Sequence, residues 1–285
     1  MIVITAASGQ LGRLVLQELL KSVPANKLVA AVRNPEKVSD FASLGVQVRQ
    51  IDYTQPHTLD IAFAGAEKVL LISSSEIGDR VTQHTNVINA CKQAGVKLLA
   101  YTSLLHADSS PLPLAAEHHK TETVLKESGV PYVILRNSWY TENYTAGIPI
   151  ALEYGVVMGC AGEAKIASAA RADYAAAAAT VLLANDQAGK VYELAGNVAY
   201  TLSEFAAEIS QQSGKQVIYQ NMSEEEYIHV LKNAGLPEPL AVMLAESETG
   251  AAKGGLFDDS QTLSQLIGRP TTPLSESIQA LTKMI

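Results

Sequence analysis

Short apolar runs alternate along this chain with longer segments in which apolar positions recur at three- and four-residue spacing. The runs at 2–5, 28–32, 46–51, 69–72, 98–102, 130–135 and 191–194 are bounded by turn residues and predict β-strands, because strands buried on both faces read as continuous apolar stretches. Helical spacing over 11–20 and 81–94 predicts helices between strands, and Ser128-Gly129 marks a helix end before the next strand. Such alternation is the pattern of βαβ units. It predicts an α/β fold with a Rossmann-type, doubly wound parallel sheet.

Beyond about residue 135 the regularity weakens, with Pro149, Gly155, Gly159 and Gly162 breaking the chain before an alanine-rich helix at 175–179. Helices are expected after Thr201 and after Ser223, where Ser223-Glu224-Glu225-Glu226 fits a capping box. The expected organisation is a dinucleotide-binding domain over 1–140, completed by about 165–200. Segments 141–164 and 201–285 would form a smaller, interleaved substrate-side lobe closing a cleft over the sheet.

Composition narrows the class. With 47% hydrophobic and 18% charged residues among 285, the chain can bury a core without staples. A net charge of −8 and the lack of a basic run argue against nucleic acid as a partner. Cys91 and Cys160 lack C-x-x-C spacing and are read as free thiols of a reducing cytoplasm. No apolar stretch is long enough for membrane insertion, and the first strand follows Met1 directly, leaving no room for a signal peptide.

Candidate chemistry starts where the first strand ends, in Thr5-Ala6-Ala7-Ser8-Gly9-Gln10-Leu11-Gly12. A strand, a tight turn and a helix in this order bring a pyrophosphate to a helix N-terminus, Gly9 and Gly12 allowing close backbone approach. Ala6 stands where a first glycine is usual, so the turn is expected to be one that alanine can adopt. Arg33 ends the second strand, where an acidic residue would accept from both ribose hydroxyls of NAD. A guanidinium suits a 2′-phosphate instead, which favours NADPH, with Arg13 as the alternative phosphate ligand.

Other strand ends should line the same crevice: Asp52-Tyr53 on the adenine side, Ser73-Ser74-Ser75, Thr102-Ser103, and Asn137-Ser138-Trp139-Tyr140. None of the eleven tyrosines has lysine four residues on, so the Tyr-x-x-x-Lys pair that protonates a reduced ketone is missing. Hydride addition to a ketone leaves an alkoxide, a base about as strong as the hydroxide of water (pKa ~15.7). Addition to a quinone leaves a phenolate-like anion nearer ~10. That acceptor needs little help from an acid. In Glu117-His118-His119 adjacent side chains point about 100° apart around a helix, which does not suit a metal, and both histidines are read as solvated. Arg171 and Asp173 are read as a structural ion pair of the second lobe.

Several stretches then carry a resemblance: Thr5 to Gly12, Ile72-Ser73-Ser74-Ser75-Glu76, Tyr101-Thr102-Ser103-Leu104-Leu105-His106-Ala107-Asp108, Leu135-Arg136-Asn137-Ser138-Trp139-Tyr140, Ala170-Arg171-Ala172-Asp173-Tyr174-Ala175 and Lys253-Gly254-Gly255-Leu256-Phe257-Asp258-Asp259. The chain resembles the NmrA-like group of atypical short-chain dehydrogenases, and within it the bacterial NAD(P)H:quinone oxidoreductases of type two. The resemblance implies two-electron reduction of quinones by NADPH, with no flavin and no metal. It implies that Asn137, Ser138, Trp139, Tyr140, Thr141 and Glu142 approach the nicotinamide end and that Asn143 faces the quinone, with Asn143, Tyr140 and Asn137 as the candidate catalytic residues. A homodimer is compatible with it. A non-catalytic, NmrA-like NADP sensor acting through a protein partner is the competing reading.

Overall fold

The computed structural model describes residues 1–76 and 78–282, so 283–285 of the expected second lobe lie outside the described residues. Among the described residues, nine strands form two sheets: β1 (Ile2–Ile4), β2 (Leu28–Val32), β3 (Gln47–Gln50), β4 (Lys68–Leu71), β5 (Leu98–Leu104), β6 (Tyr132–Asn137), β7 (Val156–Gly159), β8 (Lys190–Leu194) and β9 (Ile218–Asn221). The large sheet has the order β3-β2-β1-β4-β5-β6-β8, and the pairings from β3 through β6 are parallel. The order reverses at β1, which makes the sheet doubly wound and sets the switch point beside the carboxyl end of β1.

Both faces are covered. Val3, Val29, Val69, Leu99 and Tyr101 pack with Leu59, Phe63, Val87, Ile88 and Leu125, which come from helices Pro56–Ala62, Arg80–Gln93 and Ala115–Glu127 and the turn after the first of these. The alternate residues Ile4, Ala30 and Leu70 are fully buried on the opposite face. There helix Gln10–Leu20 packs along Arg171–Leu183, the latter longer than the alanine run predicted.

The chain divides into two compact units. The first contains 1–104, 117–137 and 171–192; the second contains 105–116, 138–170 and 193–285. In the second, β7 and β9 form a small parallel sheet. Helices Leu202–Ser213 and Glu224–Asn233 both begin with reciprocal capping boxes, Thr201 with Glu204 and Ser223 with Glu226, as the sequence predicts for the second. The two glycines of Lys253-Gly254-Gly255 serve different needs: Gly254 takes φ 85°, a Cβ on Gly255 would run into Leu112 and Pro111, and Ala167 N–H donates to the carbonyl of the next residue, Leu256, at 2.8 Å. Both cysteines are free and buried. Among the described residues, no helix is long and apolar enough to cross a membrane, and no cluster of His, Cys, Asp and Glu could hold a metal.

Candidate cofactor and substrate site

In the first unit, β1 ends at a braced turn. Thr5 Oγ1 donates to Leu70 O at 3.0 Å and accepts from Ile72 N–H and from the hydroxyl of Tyr53. Ala6 then takes φ 46°, in the left-handed region that glycine adopts freely and alanine only at a cost. The turn therefore did not change to one that suits alanine; alanine was accommodated in the glycine conformation. Ala6 O accepts from Gly9 N–H at 2.9 Å, closing the loop. A Cβ on Gly12 would fall 2.6 Å from Ala6 O and 2.7 Å from Ala7 Cα, so only glycine lets the helix sit this close to the loop. At Gly9 the nearest atom would be Ala6 O at 3.2 Å, a tight fit.

Helix Gln10–Leu20 starts with Gly9 as its cap, no side chain accepts from its first amides, and no acid lies in its first turn. These are the features of an anion cradle, and a pyrophosphate fits it. Leu11 and Gly12 are buried, whereas Gly9 and Gln10 are exposed and Ser8 is half-buried, so the accessible edge is 8–10.

Near the ends of β2 and β3, Arg33, Gln50, Ile51, Asp52 and His57 border a cavity of about 440 Å³. Arg33 is 72% exposed and contacts Glu76 Oε1 at 3.0 Å. Among the described residues, Glu76 engages one Arg33 nitrogen, and most of the side chain remains exposed. Asp52 accepts from Thr54 N–H at 2.8 Å and from Thr54 Oγ1 at 2.7 Å, which with the charge of Arg33 holds its carboxyl below the usual range. It is thus a turn carboxylate that also borders the cavity. Arg13 is less available: it is paired with Asp40, donates to Lys37 O at 3.0 Å and lies over the Phe41 ring.

The Ser73-Ser74-Ser75 segment is held by a polar interior that the sequence reading missed. Ser73 N–H donates to Thr102 Oγ1 at 2.9 Å, Ser74 N–H to His84 Nε2 at 3.0 Å, and Arg80 Nε to Ser74 O at 2.8 Å. His84 must be unprotonated at Nε2 to accept that bond, and burial pushes its pKa down to about 3, with the Arg80 charge adding. His118 is not solvated: it is buried, stacks on Tyr101 and meets the Tyr101 hydroxyl through Nδ1 at 2.8 Å. The helix turns position 118 inward and leaves 119 exposed.

Ser103, expected to line the crevice, is buried, and its hydroxyl donates to Glu122 Oε1 at 2.7 Å. Glu122 also receives Arg136 through two nitrogens, at 2.8 and 2.6 Å. Burial alone would raise the Glu122 pKa, but the bonds from Arg136 and Ser103 outweigh it and keep the carboxyl ionised. Asn137, at the end of β6, is buried in the first unit.

The remaining candidates lie in the second unit. Ser138 N–H donates to Leu194 O, and the buried Ser138 hydroxyl has no hydrogen-bond partner among the described residues. Trp139 is buried; Tyr140 bridges to Ala169 and is half-buried; Thr141 N–H donates to Ala169 O at 3.0 Å. Glu142 and Asn143 lie on the short helix Thr141–Thr145, Glu142 half-buried and Asn143 exposed. His106, with φ 52°, lies 3.5 Å from Asp258 and 3.6 Å from Glu193, linking two of the motif stretches. Asp173 is fully buried in the first turn of helix Arg171–Leu183, which belongs to the first unit rather than the second.

The chain is similar along its length to known NAD(P)H-dependent proteins. Residues 6–185 match the model of the NAD(P)H-binding family. The chain is 60% identical over 281 residues to quinone oxidoreductase 2 of Escherichia coli K12, covering 99% of this chain and 98% of that one. The crystal structure of the Escherichia coli NADPH-dependent quinone oxidoreductase complexed with NADPH superimposes with a TM-score of 0.96, at 60% identity and 99% coverage of both chains. The Citrobacter sp. triphenylmethane reductase complexed with NADP(H) gives 0.95 at 42% identity, covering 98% of this chain and 99% of the other. On the phosphate loop, the doubly wound sheet and these likenesses over the full chain, the protein belongs to the NAD(P)H-binding family, with the bacterial NADPH-dependent quinone oxidoreductase 2 as a full-length relative.

Proposed function

We propose that this chain catalyses the two-electron reduction of quinones to quinols by NADPH, through direct hydride transfer without flavin or metal. The full-length 60% identity to a quinone oxidoreductase supports this over the sensor reading. The observation that carries the chemistry is the engagement of the Ser103 hydroxyl by Glu122, a carboxylate that Arg136 also holds. With that hydroxyl donating to a buried carboxylate, and no tyrosine paired with a lysine at i+4, the chain offers no built acid for a strongly basic alkoxide. A quinone supplies an acceptor whose reduced oxygen is already a weak base.

The cradle at Ala6, Ala7, Ser8, Gly9, Gln10, Leu11 and Gly12 would hold the pyrophosphate, Arg33 the 2′-phosphate, Asp52 the adenine side, and Ser73, Ser74 and Ser75 a ribose or phosphate edge. Asn137 through Glu142 would orient the nicotinamide, which supplies the hydride when bound. Asn137 offers its amide to the carboxamide, Tyr140 a flat ring edge, and Asn143 a hydrogen bond to a quinone oxygen. The working compartment is the cytoplasm.

The test is a rate panel with purified protein: NADPH oxidation with benzoquinones and naphthoquinones against aliphatic ketones, with and without added flavin. Turnover confined to quinones and indifferent to flavin is expected. Ketone reduction at quinone rates, or a tightly copurifying flavin, would overturn the reading.

A further inference from the structure

The second unit contains a cavity of about 440 Å³ that shares one lining residue, Thr141, with the segment proposed to orient the nicotinamide and is otherwise unused by the proposed reaction. Its inner end is made of three buried hydroxyls in a row: Thr141 Oγ1 lies 2.9 Å from Ser168 Oγ, which lies 2.7 Å from Tyr200 Oη. Three hydroxyls carry three protons but share two contacts, so one proton is directed out of the row. All three residues border the cavity, and an acceptor placed there would receive that proton.

The walls are apolar. Val198, Pro273 and Leu274 line the space, and Val198 is 77% exposed, a large apolar side chain left uncovered beside it. The walls are also fixed to one another: Asn197 N–H donates to Thr271 Oγ1 at 2.9 Å, and Thr271 N–H returns to Asn197 Oδ1 at 2.8 Å. The loop at 197–199 and the segment at 270–275 are thereby held apart at a set width. Glu204 and Glu208 also line the cavity. Glu204 pairs with Lys165 at 2.9 Å and its carboxyl is held below the usual range by that bond, so it is ionised. Glu208 accepts from Gln212 at 2.6 Å.

The space lies within the range of small-molecule sites. Its chemistry selects an occupant that is uncharged, mostly flat and apolar, and equipped with one oxygen that both accepts and donates. Carboxylates at the lining exclude anions. Thr141 and Asn143 are two residues apart on one helix and therefore point about 200° apart, so this cavity is on the face opposite Asn143.

The geometry points to a second small-molecule site in this protein, for an uncharged phenol- or quinol-like ligand, separate from the reacting centre. It stands whether or not the quinone reading of that centre is right, because it requires binding and not turnover.

The probe is 1-naphthol, with 1-naphthol-4-sulfonate as its anionic counterpart, titrated by calorimetry into the full chain with and without saturating NADPH. Naphthol binds in both conditions, and the sulfonate binds at least ~10-fold more weakly. Leu274→Trp, which fills the cavity, and Ser168→Ala, which breaks the hydroxyl row, each weaken naphthol by ~5-fold or more while NADPH affinity is kept. Thermal melts confirm that each variant is folded, and Ser168→Ala serves if the larger substitution does not fold. Three results would each overturn the proposal: no naphthol heat at millimolar concentration, displacement of naphthol by NADPH, or unchanged affinity in a folded variant.

Discussion

Ser103 and Glu122 are joined by a 2.7 Å hydrogen bond inside the first unit, and the same carboxylate is gripped by Arg136 through two nitrogens. The serine is thus a member of a structural ion cluster. Ser103→Ala is expected to lower stability by ~1 kcal/mol and to change quinone turnover less than about 3-fold, whereas loss of a general acid would cost ~100-fold or more. Glu122→Gln leaves the Arg136 charge buried and unbalanced, and should cost about 3–5 kcal/mol. Urea unfolding and steady-state rates on the same preparations check both; a collapse of kcat in a stable Ser103→Ala would return the serine to the chemistry.

The phosphate loop makes opposite demands at two positions. Ala6→Gly removes the cost of a left-handed alanine and is expected to raise the melting temperature, by up to ~1 kcal/mol of stability, with NADPH binding retained. Gly12→Ala drives a methyl into Ala6 O and Ala7 Cα, and Gly9→Val fills the approach to the pyrophosphate. The first should destabilise the fold and the second should abolish NADPH binding in folded protein. Undiminished binding by Gly9→Val would assign the phosphate elsewhere.

Cofactor choice should rest on Arg33. Its loss removes charge-assisted bonds of roughly 1.5–3 kcal/mol to the 2′-phosphate, weakening NADPH ~10-fold or more and leaving NADH nearly unchanged. Arg13→Ala should weaken both cofactors alike if at all, because its guanidinium is committed to Asp40. Binding of NADPH and NADH to the two variants by calorimetry separates the roles.

Two buried neutral histidines give the fold an acid slope. Burial, with Arg80 adding, brings the His84 pKa down to about 3, and burial with Arg80 and His84 holds His118 well below its ordinary value. The unfolded chain binds protons at these residues from ~6.5 downward while the folded chain does not. Their contribution is therefore complete above ~6.5 and is lost as pH falls below it, by up to ~1.4 kcal/mol per pH unit for each histidine. Urea unfolding at about pH 7.5 and about pH 5 should show the loss, and His84→Gln should make the slope shallower by close to one proton. His84→Leu should in addition weaken NADPH, because Ser74 N–H loses its acceptor. An identical pH slope in His84→Gln would mean that the residue is protonated in the fold.

Much of this was legible in the order of residues. The strands of the large sheet, the loop at 5–12 and the capping box at Ser223 follow from apolar runs and turn chemistry whose causes are local. What was not legible depends on distant partners. Helix Ala115–Glu127 looks solvated because its inner face, His118, Thr121, Glu122 and Leu125, has helical spacing but mostly polar occupants. Their partners Tyr101, Ser103 and Arg136 come from β5 and β6, and nothing near the helix in sequence announces them. A polar stripe at i, i+3 and i+4 facing polar strand residues was the available signal. The small β7–β9 sheet is not announced by the sequence because its strands have four residues each and neither is a buried apolar run, β7 being mostly half-buried and β9 mostly exposed. Ala6 could not be read correctly from propensity, since the surrounding turn overrides the preference of a single alanine.

The helix that follows the phosphate loop, Gln10–Leu20, packs on Arg171–Leu183, some 150 residues further along the chain. During synthesis the loop can be braced by Tyr53, Leu70 and Ile72 early, whereas the packing face of helix Gln10–Leu20 stays uncovered until the ribosome has made most of the first unit and released the later helix from its exit tunnel. A nascent chain stalled before that point carries the nucleotide cradle on a helix whose buried face, Leu11, Val15, Leu16 and Leu19, has no cover from that later helix, and premature termination leaves that apolar face open to proteases.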